Sequence, residues 1–132
     1  MNIIEKQGII TTWFNEFLTQ RNFNILEKIT TMHCIFHSIN NGTKRSNIFD
    51  RRNFEEFMVT YWLMIHTSRW VIDNLIEKED YILVEYTEYL TCKEEFAKFF
   101  PKGQTIKETG IMKFHFMDDQ IEKIYREVNS VV

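Results

Sequence analysis

The chain has little of what breaks, tethers or staples a fold. Its 132 residues include one proline, four glycines and two cysteines. That is too little proline or glycine for a stiff or flexible linker, so no compositional break divides the chain and residues 1–132 read as one domain. Cys34 and Cys92 are too few and too far apart for a disulfide framework or a CxxC centre, and read as reduced packing residues. Positive charge is not in excess. With 16 Lys and Arg against 19 Asp and Glu, the formal charge is −3, which lacks the basic footprint of a nucleic-acid binder. No apolar run approaches the roughly 20 residues that cross a bilayer. Glu5 and Lys6 interrupt the N-terminal stretch where a secretion signal needs an unbroken apolar segment, which predicts a cytoplasmic protein with no membrane partner. In that setting Asn41-Gly42-Thr43 is a turn, not a glycosylation site.

Aromatic rings are what the chain has in quantity: 12 Phe, 5 Tyr and 3 Trp within a 44% hydrophobic composition. That is ample for a core, with rings available to line a cavity. Ile10, Trp13, Phe14, Phe17 and Leu18 recur at helical spacing and predict an amphipathic helix from about Asn2 to Gln20. Asn22 can cap a short second helix that buries Phe23, Leu26 and Ile29. Met32 to Ile39 alternates as a strand, with Met32, Cys34, Phe36 and Ser38 assigned to the core face. Residues 40–50 read as a polar loop. Asn53 and Glu56 suggest a capping box for a third helix whose face carries Phe54, Phe57, Met58, Tyr61 and Ile65. Four strands follow: Ser68 to Glu77, Tyr81 to Cys92, Thr105 to Met117 and Gln120 to Val128. Their turns fall at Lys78-Glu79-Asp80, around Pro101-Lys102-Gly103 and at Asp118-Asp119. The class is α+β: three N-terminal helices packed in a curved, mainly antiparallel sheet.

Two stretches carry a family resemblance. EDYILVEYTEYL resembles the third strand of the nuclear transport factor 2-like superfamily, and KGQTIKETGIMKFHFMDDQIEKI resembles its fourth strand, turn and fifth strand. The superfamily includes the SnoaL-like polyketide cyclases and the ketosteroid isomerases. Arg21-Asn22 departs from the Gly-Asp pair usual before the second helix but keeps its capping chemistry. The resemblance implies a cone-shaped, cystatin-like half-barrel around a pocket, often dimeric through the sheet. It also implies that three familiar catalytic positions are empty of function. Phe14 stands at the isomerase tyrosine, Ser38 at the general base and Met112 at the fourth-strand acid, and none offers the required donor, base or acid.

Other groups in the same cone invite a different chemistry. Pairing Ile82 with Phe114 and Val84 with Met112 sets Glu88 opposite Glu108 on the core-side face. Two facing carboxylates repel unless one keeps its proton or a cation intervenes. Such a pair can act as a general acid and base, with Tyr86 orienting a substrate carbonyl. The competing reading puts both glutamates at the strand ends, in water at the cone mouth. Trp13, Phe14, Phe36, Ser38, Trp62, Trp70, Met112, Phe114 and Tyr125 are the candidate lining of a pocket for a small apolar or aromatic ligand. The same rings can equally fill the cone as core.

The four histidines form no ligand set. His33 and His37 point the same way along a strand but stand roughly 13 Å apart, so no metal and no cofactor is expected. On the outer face of the sheet Tyr81, Leu83, Tyr89 and Ile111 sit among Glu85, Thr87, Thr109 and Lys113. That apolar centre with a charged rim suits a homodimer interface. Two functions remain open from the sequence. One is a small-ligand-binding SnoaL-like protein, or an enzyme of lyase or isomerase type. The other is a non-catalytic dimeric interaction module or enzyme small subunit.

Overall fold

The computed structural model describes residues 2–93 and 105–131, so the turn expected around Pro101-Lys102-Gly103 lies outside the described residues. Helix α1 (Ile3–Thr12) starts at Asn2, whose side-chain oxygen accepts a hydrogen bond from the Glu5 N–H at 2.9 Å. The helix continues as a π-helical segment, Trp13–Thr19, which buries Trp13, Phe14, Phe17 and Leu18. Its wider turn is visible in the Gln20 N–H donating to the Asn15 carbonyl and the Thr19 hydroxyl donating to that of Phe14. Arg21, at φ 59°, ends the helix. Its guanidinium reaches the carbonyls of Trp62 and Ile65, each at 3.4 Å, and ties this end to the junction between the helix ending at Met64 and the strand starting at Ile65. Asn22 caps α2 (Phe23–Ile29) by accepting from the Asn24 N–H.

Strand β1 (Thr30–Asn40) follows directly, with Cys34 and Phe36 buried. Met32 does not share their face: it is 72% exposed. An irregularity between Thr30 and Ile35 interrupts the pairing with the last strand, and the inward alternation restarts beyond Met32. The expected loop at 40–50 contains an edge strand, β2 (Arg45–Phe49), paired antiparallel to β1. The Asn40 side chain accepts from the N–H groups of Gly42 and Thr43 and shapes the hairpin turn. Helix α3 (Arg51–Met64) is capped by Asp50, which accepts from the Asn53 N–H at 2.8 Å. Asn53 is thus in the first turn and not the cap. The third position after Asp50 is where a cap side chain finds a free donor.

The chain enters β3 (Ile65–Glu77) without a loop, three residues earlier than the alternation suggests. Strands β4 (Ile82–Cys92), β5 (Ile106–Met117) and β6 (Gln120–Val131) complete the sheet. Asp118, at φ 54°, turns the β5–β6 hairpin, and Met117 pairs with Gln120. The strand order is β2-β1-β6-β5-β4-β3, and only β1 and β6 run parallel. The sheet is curved, mixed and unclosed.

Its concave side holds the core. Residues of the π-helical segment and α2 pack against Ile82, Val84, Met112, Phe114, Ile121 and Ile124 of the sheet. Phe36 and Phe54 stack face to face at 3.9 Å, and Trp13 lies about 6 Å from each. These contacts clamp β1, α3 and the π-helical segment together. Among the described residues no helix is long and apolar enough to cross a membrane.

Candidate functional site

The β4–β5 register pairs Ile82 with Phe114, Val84 with Met112, and Glu88 with Glu108. The side chains on this face are buried. Glu88 has no exposed surface, and the Glu108 side chain is 13% exposed. The alternative of two glutamates in open water is therefore incorrect for this face. The intervening cation is Arg126 of β6. Its Nη2 pairs with Glu108 and stands 3.8 Å from Glu88 Oε1. Its Nε donates to the Tyr86 hydroxyl at 2.8 Å, and that hydroxyl lies 3.4 Å from Glu108 Oε1. The guanidinium also sits 5.6 Å from the rings of both Trp70 and Tyr86.

Tyr61 of α3 completes the cluster from the opposite side, donating to the Glu88 carboxylate, with its oxygen 3.0 and 2.8 Å from the two carboxylate oxygens. Gly110 makes the space for this arrangement. A side chain there would meet the Glu127 carbonyl oxygen at 2.2 Å and the Tyr86 hydroxyl at 2.8 Å.

Burial decides the ionisation of this group. It pushes Glu88 up to about 7 against the pull of Arg126, with the negative charge of Glu108 adding to the rise. Tyr61 is raised well above its ordinary value, first by burial and then by the charge of Glu88. Burial likewise pushes Tyr86 up to about 12, so both phenols stay protonated at neutral pH. Burial opposes the charge on Arg126, but Glu108, Tyr86, Glu88 and Tyr61 outweigh it and keep the guanidinium charged. With both glutamates ionised, the cluster carries one net negative charge. A proton on Glu88 makes it neutral.

Beside the cluster is an aromatic pocket that includes Trp13, Phe36, Ser38, Phe54, Trp70 and Met112, with Tyr61 and Arg126 at its polar end. Its free space is about 40 Å³, enough for a water molecule or a few. Half-exposed Phe49 and Phe57 belong to its wall. Both of its tryptophans have a buried indole N–H, Trp13 Nε1 and Trp70 Nε1, with no hydrogen-bond partner among the described residues. A second void, of about 350 Å³, also touches Tyr61 and is bounded by Glu108, Leu90, Ile106 and the β1–β2 turn.

The structure brings five of the expected lining residues together: Trp13, Phe36, Ser38, Trp70 and Met112. Four others lie elsewhere. Phe14 and Phe114 pack on each other in the core, with ring centroids 6.3 Å apart. Trp62 packs on Phe17 and Phe23, beneath the Arg21 guanidinium. Tyr125 is on the outer face, against His37 and Lys113, because Ile124 and Arg126 take the inward positions on either side of it. Sequence reasoning did not identify Arg126 or the polar role of Tyr61. A signal for Arg126 was present: it falls between Ile124 and Val128 in the inward alternation of β6. Among the described residues no group of three or more His, Cys, Asp or Glu is placed to hold a metal ion.

No protein-family model matches the sequence, and no curated protein matches it. Solved structures do match in three dimensions. IdmH from Streptomyces antibioticus, a candidate polyketide cyclase, superposes with a TM-score of 0.79 at 13% identity, covering 93% of this chain and 91% of its own. A candidate SnoaL-like polyketide cyclase from a Jannaschia species gives 0.75 at 14% identity, covering 96% and 86%. A protein with a ketosteroid isomerase-like fold from Catenulispora acidiphila, solved with trimethylamine, gives 0.68 at 13% identity, covering 89% and 82%. The chain therefore has the nuclear transport factor 2-like cone fold shared by SnoaL-like cyclases and ketosteroid isomerase-like proteins.

Proposed function

We propose that this protein binds a small apolar or aromatic molecule in the pocket lined by Trp13, Phe36, Ser38, Trp70 and Met112. The observation that carries this reading is the pair of unpartnered indole N–H groups in the pocket's own tryptophans. A buried donor without an acceptor costs about 1–3 kcal/mol, and native folds leave only a few. A ligand with hydrogen-bond acceptors would satisfy them. Tyr86, Glu88 and Glu108, bridged by Arg126, are the candidates for proton transfer in a lyase- or isomerase-type reaction. Steroid isomerisation by the familiar route is not expected, because Phe14, Ser38 and Met112 supply none of its groups. No metal or cofactor is part of the proposal.

The small free space supports a second reading, a non-catalytic dimeric module using the outer sheet face. Ligand pockets are commonly about 300–1,000 Å³, far above the roughly 40 Å³ open in the aromatic pocket. The two readings separate in one experiment. Indole N–H resonances of ¹⁵N-labelled protein are followed while small aromatic ketones, quinones and phenols are added. Ligand binding predicts that the Trp13 and Trp70 signals move together and saturate. If no compound moves either signal, the dimeric module becomes the better account.

A further inference from the structure

The pocket and the buried carboxylate meet at two side chains, Tyr61 and Arg126, and of the two only Tyr61 hydrogen-bonds Glu88. Tyr61 lines the pocket, whereas Glu88 lies behind it, wholly buried and outside the pocket lining. A phenol has one proton to donate. While Glu88 is ionised it can only accept, so it takes that proton and Tyr61 presents only lone pairs to the pocket. Once Glu88 carries a proton, its own O–H can donate to the phenolic oxygen, and the tyrosine proton is free to turn towards the pocket. We propose that Tyr61 is the donor to a carbonyl or similar acceptor on the ligand, and that Glu88 is its positioning residue, whose protonation turns the Tyr61 hydroxyl towards the ligand.

This inference rests on the ligand-binding reading and names the group that selects for an acceptor. The groups facing Glu88 set the balance. Arg126 from β6 favours the carboxylate, as does the Tyr61 hydrogen bond from α3, while Glu108 from β5 disfavours it. Within β4, Tyr86 and the buried Cys92 thiol are neutral neighbours. Trp70 of β3, paired with Glu88, carries no charge. Burial tips the sum towards the acid and brings Glu88 to about 7, so both forms are populated near neutrality. Below that value the cluster is neutral and Tyr61 can donate. Above it, an acceptor on the ligand meets lone pairs and a net negative charge.

The test follows ¹³C labels at the Tyr ring carbon bearing the hydroxyl and at the Glu side-chain carboxyl, across about pH 5 to 9. The Tyr61 and Glu88 signals should move with one shared midpoint. Glu88→Gln, which cannot ionise, should leave the Tyr61 signal without this midpoint. Tyr61→Phe should raise the Glu88 midpoint by roughly one to two pH units, because a hydrogen bond favouring the charged form is gone. Acetophenone, a ring with a single carbonyl acceptor, serves as the binding probe. It should bind the wild type at least about fivefold more tightly near pH 5.5 than near pH 8.5, with no such difference in either variant.

A Tyr61 signal that stays fixed while Glu88 titrates overturns the inference, as does a Glu88 that does not titrate in this range. Equal affinity at both pH values overturns the inference alone and leaves ligand binding standing. Joint titration with no acetophenone binding at either pH overturns the ligand-donor assignment together with the reading beneath it.

Discussion

Glu88→Gln gives the sharpest test of the buried cluster through stability. The folded-state pKa of Glu88 is raised from an ordinary 4.5 to about 7, with burial the main cause. The folded protein therefore holds this proton more tightly than the unfolded chain does. Its contribution to stability is fully present below about pH 4.5 and is lost as pH rises through 7. A rise of this size corresponds to roughly 3 kcal/mol between the two ends of the range. Glutamine keeps the shape and cannot ionise, so this component disappears from its pH profile.

Urea unfolding of both proteins from pH 4 to 8 reads the effect as a difference of differences, in which titrating groups remote from Glu88 cancel. The wild type should lose up to about 3 kcal/mol more than the variant over that range. A salt-bridged carboxylate with a lowered pKa would give the opposite sign. If the two profiles run parallel, Glu88 is not a desolvated acid in the folded protein, and both the cluster's electrostatics and the Tyr61 mechanism are wrong.

Three further outcomes are expected. Arg126→Met removes the only cation within reach of Glu88 and Glu108 among the described residues, and should destabilise the protein by about 3–5 kcal/mol at pH 8 and by less at pH 5, measured by urea unfolding. Gly110→Ala places a methyl group against the Glu127 carbonyl and the Tyr86 hydroxyl; thermal unfolding should show a loss of at least about 1–3 kcal/mol, and an unchanged melting temperature would mean that the strands are further apart. If the outer sheet face is an isologous interface, sedimentation should give about twice the 16.1 kDa of the chain, and Leu83→Glu should shift the protein towards monomer. A wild-type monomer at micromolar concentration removes that assembly.

The sequence alone determined the sheet's register where it matters most. In β4 and β5 the strict alternation leaves one way to bury Ile82, Val84, Met112 and Phe114, and the Asp118-Asp119 turn fixes the start of β6. Glu88 had to face Glu108 once that register was set. The caps at Asn2 and Asn22 were similarly local, whereas Asp50 and Asn53 are both good caps and only the backbone chose between them. The edge strand β2 left no trace in hydrophobicity because four of its five residues are exposed. Its existence depends on a hairpin partner.

Tertiary structure alone decided what surrounds the two glutamates. Arg126 and Tyr61 come from β6 and α3, 38 and 27 residues from Glu88; the alternation of β6 turns Arg126 inward, but only the packing brings both polar ends to Glu88. It also decided which aromatic rings form the pocket wall and which fill the core. Periodicity assigns a ring to a face, but the space left between rings depends on how separate elements pack, and that close packing is a property of the whole assembly.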